Sequence, residues 1–259
     1  MLLPIPPTSR QALRPLFRDY PVFRGCIEAA IEGRVGQAMA DSDTAPTAGV
    51  LQVDFYFLAG DAGSPAAAQL VRQFRPGQPA IIVPDLQWTE LLRRTFGKKL
   101  QSYRRTSCRP GRWDRSALEH HARQVPAGYR LLRIELEDQA QRLADELSDS
   151  LIGNYASPAD FLHQGFAFAI EHAGRYVAAI SSFARSRRTA EIEIFTHHRH
   201  RRLGLATALV ARFVLHCLDH DLAPAWDAAN PTSTALAAKL GFIPEKEYEA
   251  YFIEREELA

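Results

Sequence analysis

A cationic loop with one glycine is the part of the sequence best suited to chemistry. Residues 197–204 read His-His-Arg-His-Arg-Arg-Leu-Gly and lie between an apolar run and a long amphipathic stretch. Glycine lets the backbone approach a ligand closely, and the free amides of a helix's first turn, with the helix dipole behind them, favour an anion. Arg199, Arg201 and Arg202 add positive charge. The pattern is typical of a diphosphate-binding loop.

The elements around this loop predict a mixed sheet covered by helices. The loop follows a predicted strand, Ala190–Thr196, and leads into a predicted helix, Gly204–His220, whose apolar stripe includes Val210 and Phe213. Alternating patterns and turn residues predict the other elements. The predicted strands are Tyr129–Glu135, Phe166–Glu171, Tyr176–Phe183, Pro224–Ala228 and material around Glu247–Ile253, and a further helix is Thr232–Leu240. This order favours an α/β fold.

The first half of the chain repeats that order. Val35–Ala40 and Val50–Leu58 are predicted strands, and the pattern strand–strand–helix–strand–helix–strand occurs in both halves. We interpret this as a diverged internal duplication. Proline and glycine at both ends of residues 109–127 indicate a connection, so we predict an N-terminal domain of residues 1–125 and a C-terminal domain of residues 126–259.

Several motifs in the second half occur together in one known superfamily. Arg201-x-x-Gly204-x-Ala206 follows a strand and opens a long helix, and Asn230, Ser233 and Lys239-Leu-Gly-Phe242 come later. Over roughly residues 128–255 the chain resembles the GNAT superfamily of acyl-CoA-dependent N-acyltransferases. With Val53–Asp61 and Ala225–Asn230 included, it resembles a bacterial subgroup that contains the self-resistance acetyltransferase for the antibiotic zwittermicin A.

The resemblance implies a fold, a cosubstrate and a reaction. The fold would be a mixed, mostly antiparallel sheet flanked by helices, preceded by a degenerate GNAT-like lobe. That lobe lacks the Arg-x-x-Gly-x-Gly/Ala motif at Ala59–Ser64, where Asp61 would repel a diphosphate, so we expect it not to bind CoA. Acetyl-CoA would be the cosubstrate, its pantetheine lying between the strands Ala190–Thr196 and Pro224–Ala228, and a primary amine would attack the thioester directly. The implied CoA-binding residues are Phe195, Thr196, Arg201, Arg202, Leu203, Gly204, Leu205, Ala206, Thr207, Asn230 and Ser233.

This reaction needs a base, because an alkylamine with a pKa near 10.4 is mostly protonated at neutral pH. Glu193 and Glu191 lie on the strand before the loop, on one face by alternation. Superfamily members often place the base on this strand, so we assign it to Glu193 first and Glu191 second. The alternative is that one glutamate faces solvent and the other pairs with an arginine.

The general acid is less defined in this sequence. Many GNAT enzymes have a tyrosine where this chain has Ala237, so Ser233, Tyr248 or Tyr251 would have to protonate the leaving thiolate, or no group does so. A thiolate with a pKa of about 8.5 leaves without strong assistance. The missing tyrosine also leaves open a non-catalytic acyl-CoA sensor.

Two other kinds of site are weighed against ordinary structural roles. His197, His198 and His200 lie among arginines that would repel a cation, so we expect no metal site. The basic segment Arg93–Arg115 could track a nucleic-acid backbone, although a solvated face is favoured because no nucleic-acid motif accompanies the charges.

Composition limits the class of protein. The chain has 259 residues, 46% hydrophobic and 24% charged, with 31 basic residues against 30 acidic, which excludes a mostly disordered protein. No apolar run reaches the length of a membrane span, and the first residues do not form a signal peptide. Three scattered cysteines suggest reduced thiols and a cytoplasmic location. The acceptor is expected to be a small-molecule amine, and a homodimer is left open.

Overall fold

A computed structural model describes residues 2–255. The strands in chain order are β1 (Leu3–Pro4), β2 (Gln37–Ala40), β3 (Ala48–Gln52), β4 (Tyr56–Gly60), β5 (Ile81–Ile82), β6 (Leu100–Arg109), β7 (Tyr129–Arg133), β8 (Ala167–His172), β9 (Arg175–Arg185), β10 (Thr189–Thr196), β11 (Ala223–Ala228) and β12 (Ile243–Ile253). The α-helices are α1 (Arg14–Phe17), α2 (Arg24–Ile31), α3 (Pro65–Val71), α4 (Leu86–Phe96), α5 (Arg115–Arg123), α6 (Glu137–Glu146), α7 (Pro158–Gln164), α8 (Leu205–Asp219) and α9 (Pro231–Lys239).

The chain folds as two compact units. Unit 1 contains the described residues up to Arg105 together with those from Glu247 onward, and unit 2 is Thr106–Lys246. These limits differ from the division near residue 125 that the turn-rich connection suggests. The reason is that the limits between the units fall inside strands. The first part of β6 belongs to unit 1 and its end to unit 2, whereas the first part of β12 belongs to unit 2 and its end to unit 1.

Unit 1 has the strand order β1-β2-β3-β4-β5-β12. Its strands pair antiparallel except for β4 and β5, which are parallel and are connected through α3. The sheet is completed by β12, where Tyr251 pairs with Ile81. Its core includes the fully buried Leu58 and Trp88.

The predicted strand Val50–Leu58 is wrong, because it is two strands joined by a tight turn. β3 ends at Gln52 and β4 begins at Tyr56, and the Val53 amide donates a hydrogen bond to the Phe55 carbonyl, 3.0 Å away. Both Val53 and Phe55 are buried. Asp54 is the single polar residue between them, and one polar residue between two apolar ones also fits the alternation of a continuous strand, so the sequence conceals the hairpin.

Unit 2 has the strand order β6-β11-β10-β9-β8-β7 and holds the predicted motif. β7 to β10 form an antiparallel meander, whereas β10 and β11 are parallel and connected through α8. The apolar face of α8, including Leu209 and Phe213, packs on Phe168 and Ile180 of the sheet. The predicted α/β fold with a mixed, mostly antiparallel sheet is confirmed.

The same order of elements occurs in both units. In each, three antiparallel strands are followed by a helix, a parallel strand and a second helix. The closing strand of each sheet comes from elsewhere in the chain: β12 closes unit 1, and the end of β6 closes unit 2, where Cys108 pairs with Trp226. The closing strands of the two repeats are therefore exchanged.

No helix among residues 2–255 has the length and apolar character needed to cross a bilayer. Within the described residues, the thiols of Cys26, Cys108 and Cys217 are all buried and form no disulfide.

Candidate active site

The parallel strands β10 and β11 separate within unit 2. They pair at Thr189, Ala190 and Glu191, and within the described residues no pair follows Glu191. At this point β10 also has a register shift against β9, an irregularity that increases local twist. Beyond Ala225, β11 pairs with β6 instead. An opening therefore lies between β10 and β11 from Ile192 onward.

The cationic loop follows β10 at the open end of this gap. It contains a 3-10 turn, His198–His200, and two residues with left-handed backbone, Arg202 at φ 66° and Gly204 at φ 82°. Arg201 Nε donates a hydrogen bond to the Thr196 carbonyl, 3.2 Å away, which holds the loop against the strand. The side chains of Arg199, Arg201 and Arg202 do not enter the core, because these residues are exposed.

Helix α8 begins directly after Gly204 and has no side-chain cap. The amides of its first turn, Leu205 to Thr207, have no intrahelical acceptor. A Cβ placed on Gly204 would meet no atom within 4 Å, so the space beside this glycine, directly before the helix, is open. The positive end of the helix dipole, the free amides and the nearby guanidinium groups together suit a diphosphate. We call this set, Arg201–Thr207, the cradle.

The two glutamates on β10 have different surroundings. Glu191 is only 3% exposed and lies in the last rung shared with β11, opposite Ala225. Glu193 is partly buried and lies two residues farther into the gap. Ser150 Oγ donates a hydrogen bond to Glu193 Oε1 over 3.2 Å. Both carboxylates have further interactions in the fold, and Glu193 is the more accessible of the two.

A family model described as GNAT acetyltransferase matches residues 15–251. The chain belongs to the GNAT acetyltransferase family. The match spans most of both units, so the N-terminal unit is part of the family's architecture.

Known relatives support the family and the two-lobed fold. This GNAT protein is 28% identical over 236 residues to the uncharacterized N-acetyltransferase YdfB of Bacillus subtilis, with 84% of this chain and 85% of the relative covered. A crystal structure of a GCN5-related N-acetyltransferase-like protein from Streptococcus suis has a TM-score of 0.82 at 28% identity and covers 95% of this chain and 99% of its own. A tandem GNAT protein from the clavulanic acid biosynthesis pathway has a TM-score of 0.60 at 15% identity, with 97% of both chains covered, which shows a shared fold.

The N-terminal unit of this GNAT protein has a different turn before its equivalent helix. Ser64 Oγ accepts a hydrogen bond from the Ala67 amide at 3.1 Å and so caps α3. The Asp61 carboxylate accepts another from the Gly63 amide at 2.8 Å. One free amide of α3 is therefore taken up by a side chain, and a negative charge lies nearby. That this turn does not bind CoA stays a prediction.

Asn230 and Ser233 both belong to the start of α9. Asn230 Oδ1 accepts a hydrogen bond from the Ser233 amide at 3.0 Å, so the asparagine caps the helix. Ser233 Oγ accepts from Trp226 Nε1 at 3.1 Å, and its own proton stays available to a further acceptor. Ala237, where the resemblance to GNAT enzymes leads us to expect tyrosine, is fully buried in the core. Tyr248 and Tyr251 lie in unit 1, where Tyr248 packs against Phe23 and Tyr251 lies near Thr89.

The histidines of the loop make contacts that the sequence did not predict. His200 Nδ1 lies 2.9 Å from the Tyr129 hydroxyl, and the Tyr129 ring stacks on His172 at 4.3 Å between centroids. The partial desolvation of His197, with His198, His200 and two arginines close by, lowers its pKa below 6.5. Among residues 2–255, no three or more His, Cys, Asp or Glu residues are grouped to hold a metal ion.

Part of the basic segment Arg93–Arg115 already has partners within the units. Arg104 forms an ion pair with Glu249 at 3.5 Å, and Arg115 forms one with Asp219 at 2.6 Å. Arg105 is buried, with its guanidinium 4.7 Å from the centre of the Phe55 ring. These contacts favour a structural role for the three arginines.

Proposed function

We propose that the protein is an acetyl-CoA-dependent N-acetyltransferase that acetylates a primary amine, most simply that of a small molecule. The observation that carries this proposal is the uncapped start of α8 at the open end of the gap between β10 and β11. An anion site and an elongated gap meet there, which is the combination that a diphosphate with a long thioester arm requires. Bound acetyl-CoA would supply the activated acetyl group.

The residues of unit 2 fit this cosubstrate. The amides of Gly204 to Thr207, with Arg201 and Arg202, would hold the diphosphate by charge-assisted hydrogen bonds. Because β10 has no partner strand on its β11 side after Glu191 within the described residues, the backbone near Phe195 and Thr196 can pair with amides of the pantetheine arm. Asn230 would act by fixing the start of α9.

Glu193 is the better candidate for the general base. It lies within the gap and is partly accessible, whereas Glu191 is nearly inaccessible at the closed end. Ser150 would orient the Glu193 carboxylate through its hydrogen bond. Ser233 is the candidate acid in unit 2, since its hydroxyl accepts from Trp226 and keeps a proton to donate. Membership of the zwittermicin A resistance subgroup remains a prediction.

The cradle is tested with two variants of Gly204 that differ only in charge. Residues Asn and Asp both tolerate left-handed backbone better than most, and the space beside Gly204 is open. We expect Gly204→Asn to reduce acetyl-CoA affinity by less than about tenfold and Gly204→Asp by about a hundredfold or more, because a carboxylate then faces the diphosphate. Isothermal titration calorimetry of both purified variants beside the wild type measures this difference.

Equal affinities of the two variants would place the diphosphate elsewhere. Binding that is lost in Gly204→Asp, with no turnover on any amine of a broad panel, would favour the acyl-CoA sensor. That outcome would fit the buried Ala237, which leaves no hydroxyl at the usual position of the acid.

Replacement of the base should affect turnover and not cosubstrate binding. For Glu193→Gln we expect the acetylation rate to fall by about 10²- to 10⁴-fold, with acetyl-CoA affinity unchanged and partial recovery at high pH. Ser150→Ala is the matched control, and we expect a smaller loss because the carboxylate remains. A wild-type rate in Glu193→Gln would move the role to Glu191 or to water.

A further inference from the structure

A second cleft lies in unit 2 between α5, β7 and the C-terminal half of α8. Its volume is about 490 Å³, which is within the usual range of small-molecule pockets of about 300–1,000 Å³. The residues that line it are Arg115, Glu119, Ala122, Arg123, Leu131, Leu132, Arg133, Phe168, Arg212, Leu215 and Asp219.

This cleft combines apolar walls with a cationic rim. Leu131 and Leu215 contribute apolar surface on the face of β7 that carries α8, whereas every charged residue of the lining is an arginine except Glu119 and Asp219. Four arginines against two carboxylates leave a net charge of +2. The lining therefore favours a ligand that has both an acidic group and an apolar body.

The two carboxylates are already neutralised on the α5 side of the cleft. Arg115 reaches Asp219 at 2.6 Å and Glu119 at 3.3 Å, and Arg123 reaches Glu119 at 3.5 Å. These ion pairs occupy the acidic groups that would otherwise repel an anion.

Arg133 and Arg212 carry the available charge on the opposite side. Arg133 forms an ion pair with the exposed Glu135 at 3.8 Å, and no other ion pair of Arg133 is found among residues 2–255. Arg212 forms no ion pair within residues 2–255, and its guanidinium lies 5.4 Å from the centre of the Phe168 ring. A guanidinium that rests on an aromatic face and projects from a helix can still donate several hydrogen bonds to an oxyanion.

The cleft is separate from the cradle. No residue of the cradle lines it, and Arg212 follows Gly204 by eight positions, or about 12 Å along the axis of α8 at 1.5 Å per residue. Its lining residues on α8 belong to the half of the helix away from the free amides. A ligand at the second site would therefore not overlap the diphosphate.

We propose that this cleft binds an amphipathic organic anion, with its phosphate or carboxylate group on Arg133 and Arg212 and its alkyl or aromatic body on Leu131, Ala122 and Leu215. Two guanidinium groups supply the charge-assisted hydrogen bonds, and the leucines remove apolar surface of the ligand from water. Because α8 also forms the cradle, one helix carries both sites.

The proposal is tested by calorimetric titration of the full chain with octyl phosphate, kept below its critical micelle concentration. We expect one saturable site. Octyl glucoside and inorganic phosphate serve as the neutral and the headgroup-only probes, and each should bind at least tenfold more weakly. Inorganic phosphate that binds as tightly as octyl phosphate would overturn the amphipathic assignment.

Three glutamine variants locate the binding. Arg133→Gln and Arg212→Gln should each weaken octyl phosphate binding by about tenfold or more, whereas Arg188→Gln, at an exposed arginine outside the cleft, should have no effect. Thermal unfolding checks that all three fold, and saturating acetyl-CoA should not displace the probe. Wild-type affinity in both rim variants, or competition by acetyl-CoA, would refute the second site.

Discussion

Replacing His216 should remove about 2 kcal/mol of the loss in folding stability between pH 7.5 and pH 5. This residue lies on α8 and is 7% exposed, with its ring 4.1 Å from the ring of Phe166 and 4.0 Å from that of His220. Burial, first, and then the nearby cationic groups of His220, Arg133, Arg212 and Arg185 lower its pKa from 6.5 to about 4. The folded protein therefore holds this imidazole neutral where the unfolded chain would protonate it.

The sign and size of the effect follow from that difference. Between about pH 6.5 and pH 4 the unfolded state binds the extra proton, so the free energy of unfolding is fully retained above pH 6.5 and falls as the pH is lowered. A shift of one pKa unit corresponds to 1.36 kcal/mol, so the loss from this one group reaches about 2 kcal/mol at pH 5 and about 3 kcal/mol below pH 4.

Urea unfolding followed by tryptophan fluorescence at pH 5, 6 and 7.5 measures this loss. We expect His216→Gln to be less stable than wild type at pH 7.5, because a buried amide needs partners, and to lose about 2 kcal/mol less between pH 7.5 and pH 5. His163→Gln, at an exposed histidine, is the control and should follow the wild-type pH dependence. If the stability of His216→Gln also shows the wild-type pH dependence, the surroundings of His216 do not hold its imidazole neutral.

Two further predictions concern packing within a single unit, Arg10 in unit 1 and Gly111 in unit 2. Arg10 is 4% exposed and donates hydrogen bonds to main-chain carbonyls, including those of Val35 at 2.9 Å and Gly36 at 2.8 Å. Arg10→Met should therefore lower the free energy of unfolding by about 3 kcal/mol or more. A loss below about 1 kcal/mol in a urea titration would contradict this role. A Cβ on Gly111 would overlap the carbonyl oxygen of Gly241, so Gly111→Ala should lower the thermal midpoint and cost about 1–3 kcal/mol. Gly174→Ala, where no atom lies within 4 Å of the added Cβ, is its control and should cost only about 1 kcal/mol from the left-handed backbone; equal losses would show that the overlap is relieved without cost.

The local pattern of the second half was sufficient to predict its elements. The predicted helix Gly204–His220 agrees with α8 at Leu205–Asp219, and the predicted strand Pro224–Ala228 agrees with β11. Periodicity succeeds here because α8 has one face on the sheet and because glycine and proline mark the ends. The loop and helix start that form the cradle were predictable for the same reason, since they lie in one continuous segment, whereas diphosphate binding there stays a prediction.

Features that depend on distant residues were not predictable in this way. Ser150 reaches Glu193 only because the 3-10 turn Asp149–Leu151 packs beside β10, and nothing in the local pattern of either segment indicates it. The second cleft likewise combines Arg115 of α5, Arg133 of β7 and Arg212 of α8, three separate elements. The hairpin at Val53–Phe55 was not predictable either, because Val53 and Phe55 are apolar and buried and Asp54 between them fits the alternation of one continuous strand.

The exchange of closing strands makes the order of synthesis matter for folding. In unit 1, β5 receives its antiparallel neighbour only from β12, which is translated after the other described elements. Until then Ile81 and Ile82 form an open sheet edge, and such edges invite pairing with other chains. Contacts so far apart in sequence also slow folding. A nascent chain would therefore carry an incomplete N-terminal unit through nearly all of its translation, and a fragment that ends near residue 125 would retain that open edge permanently.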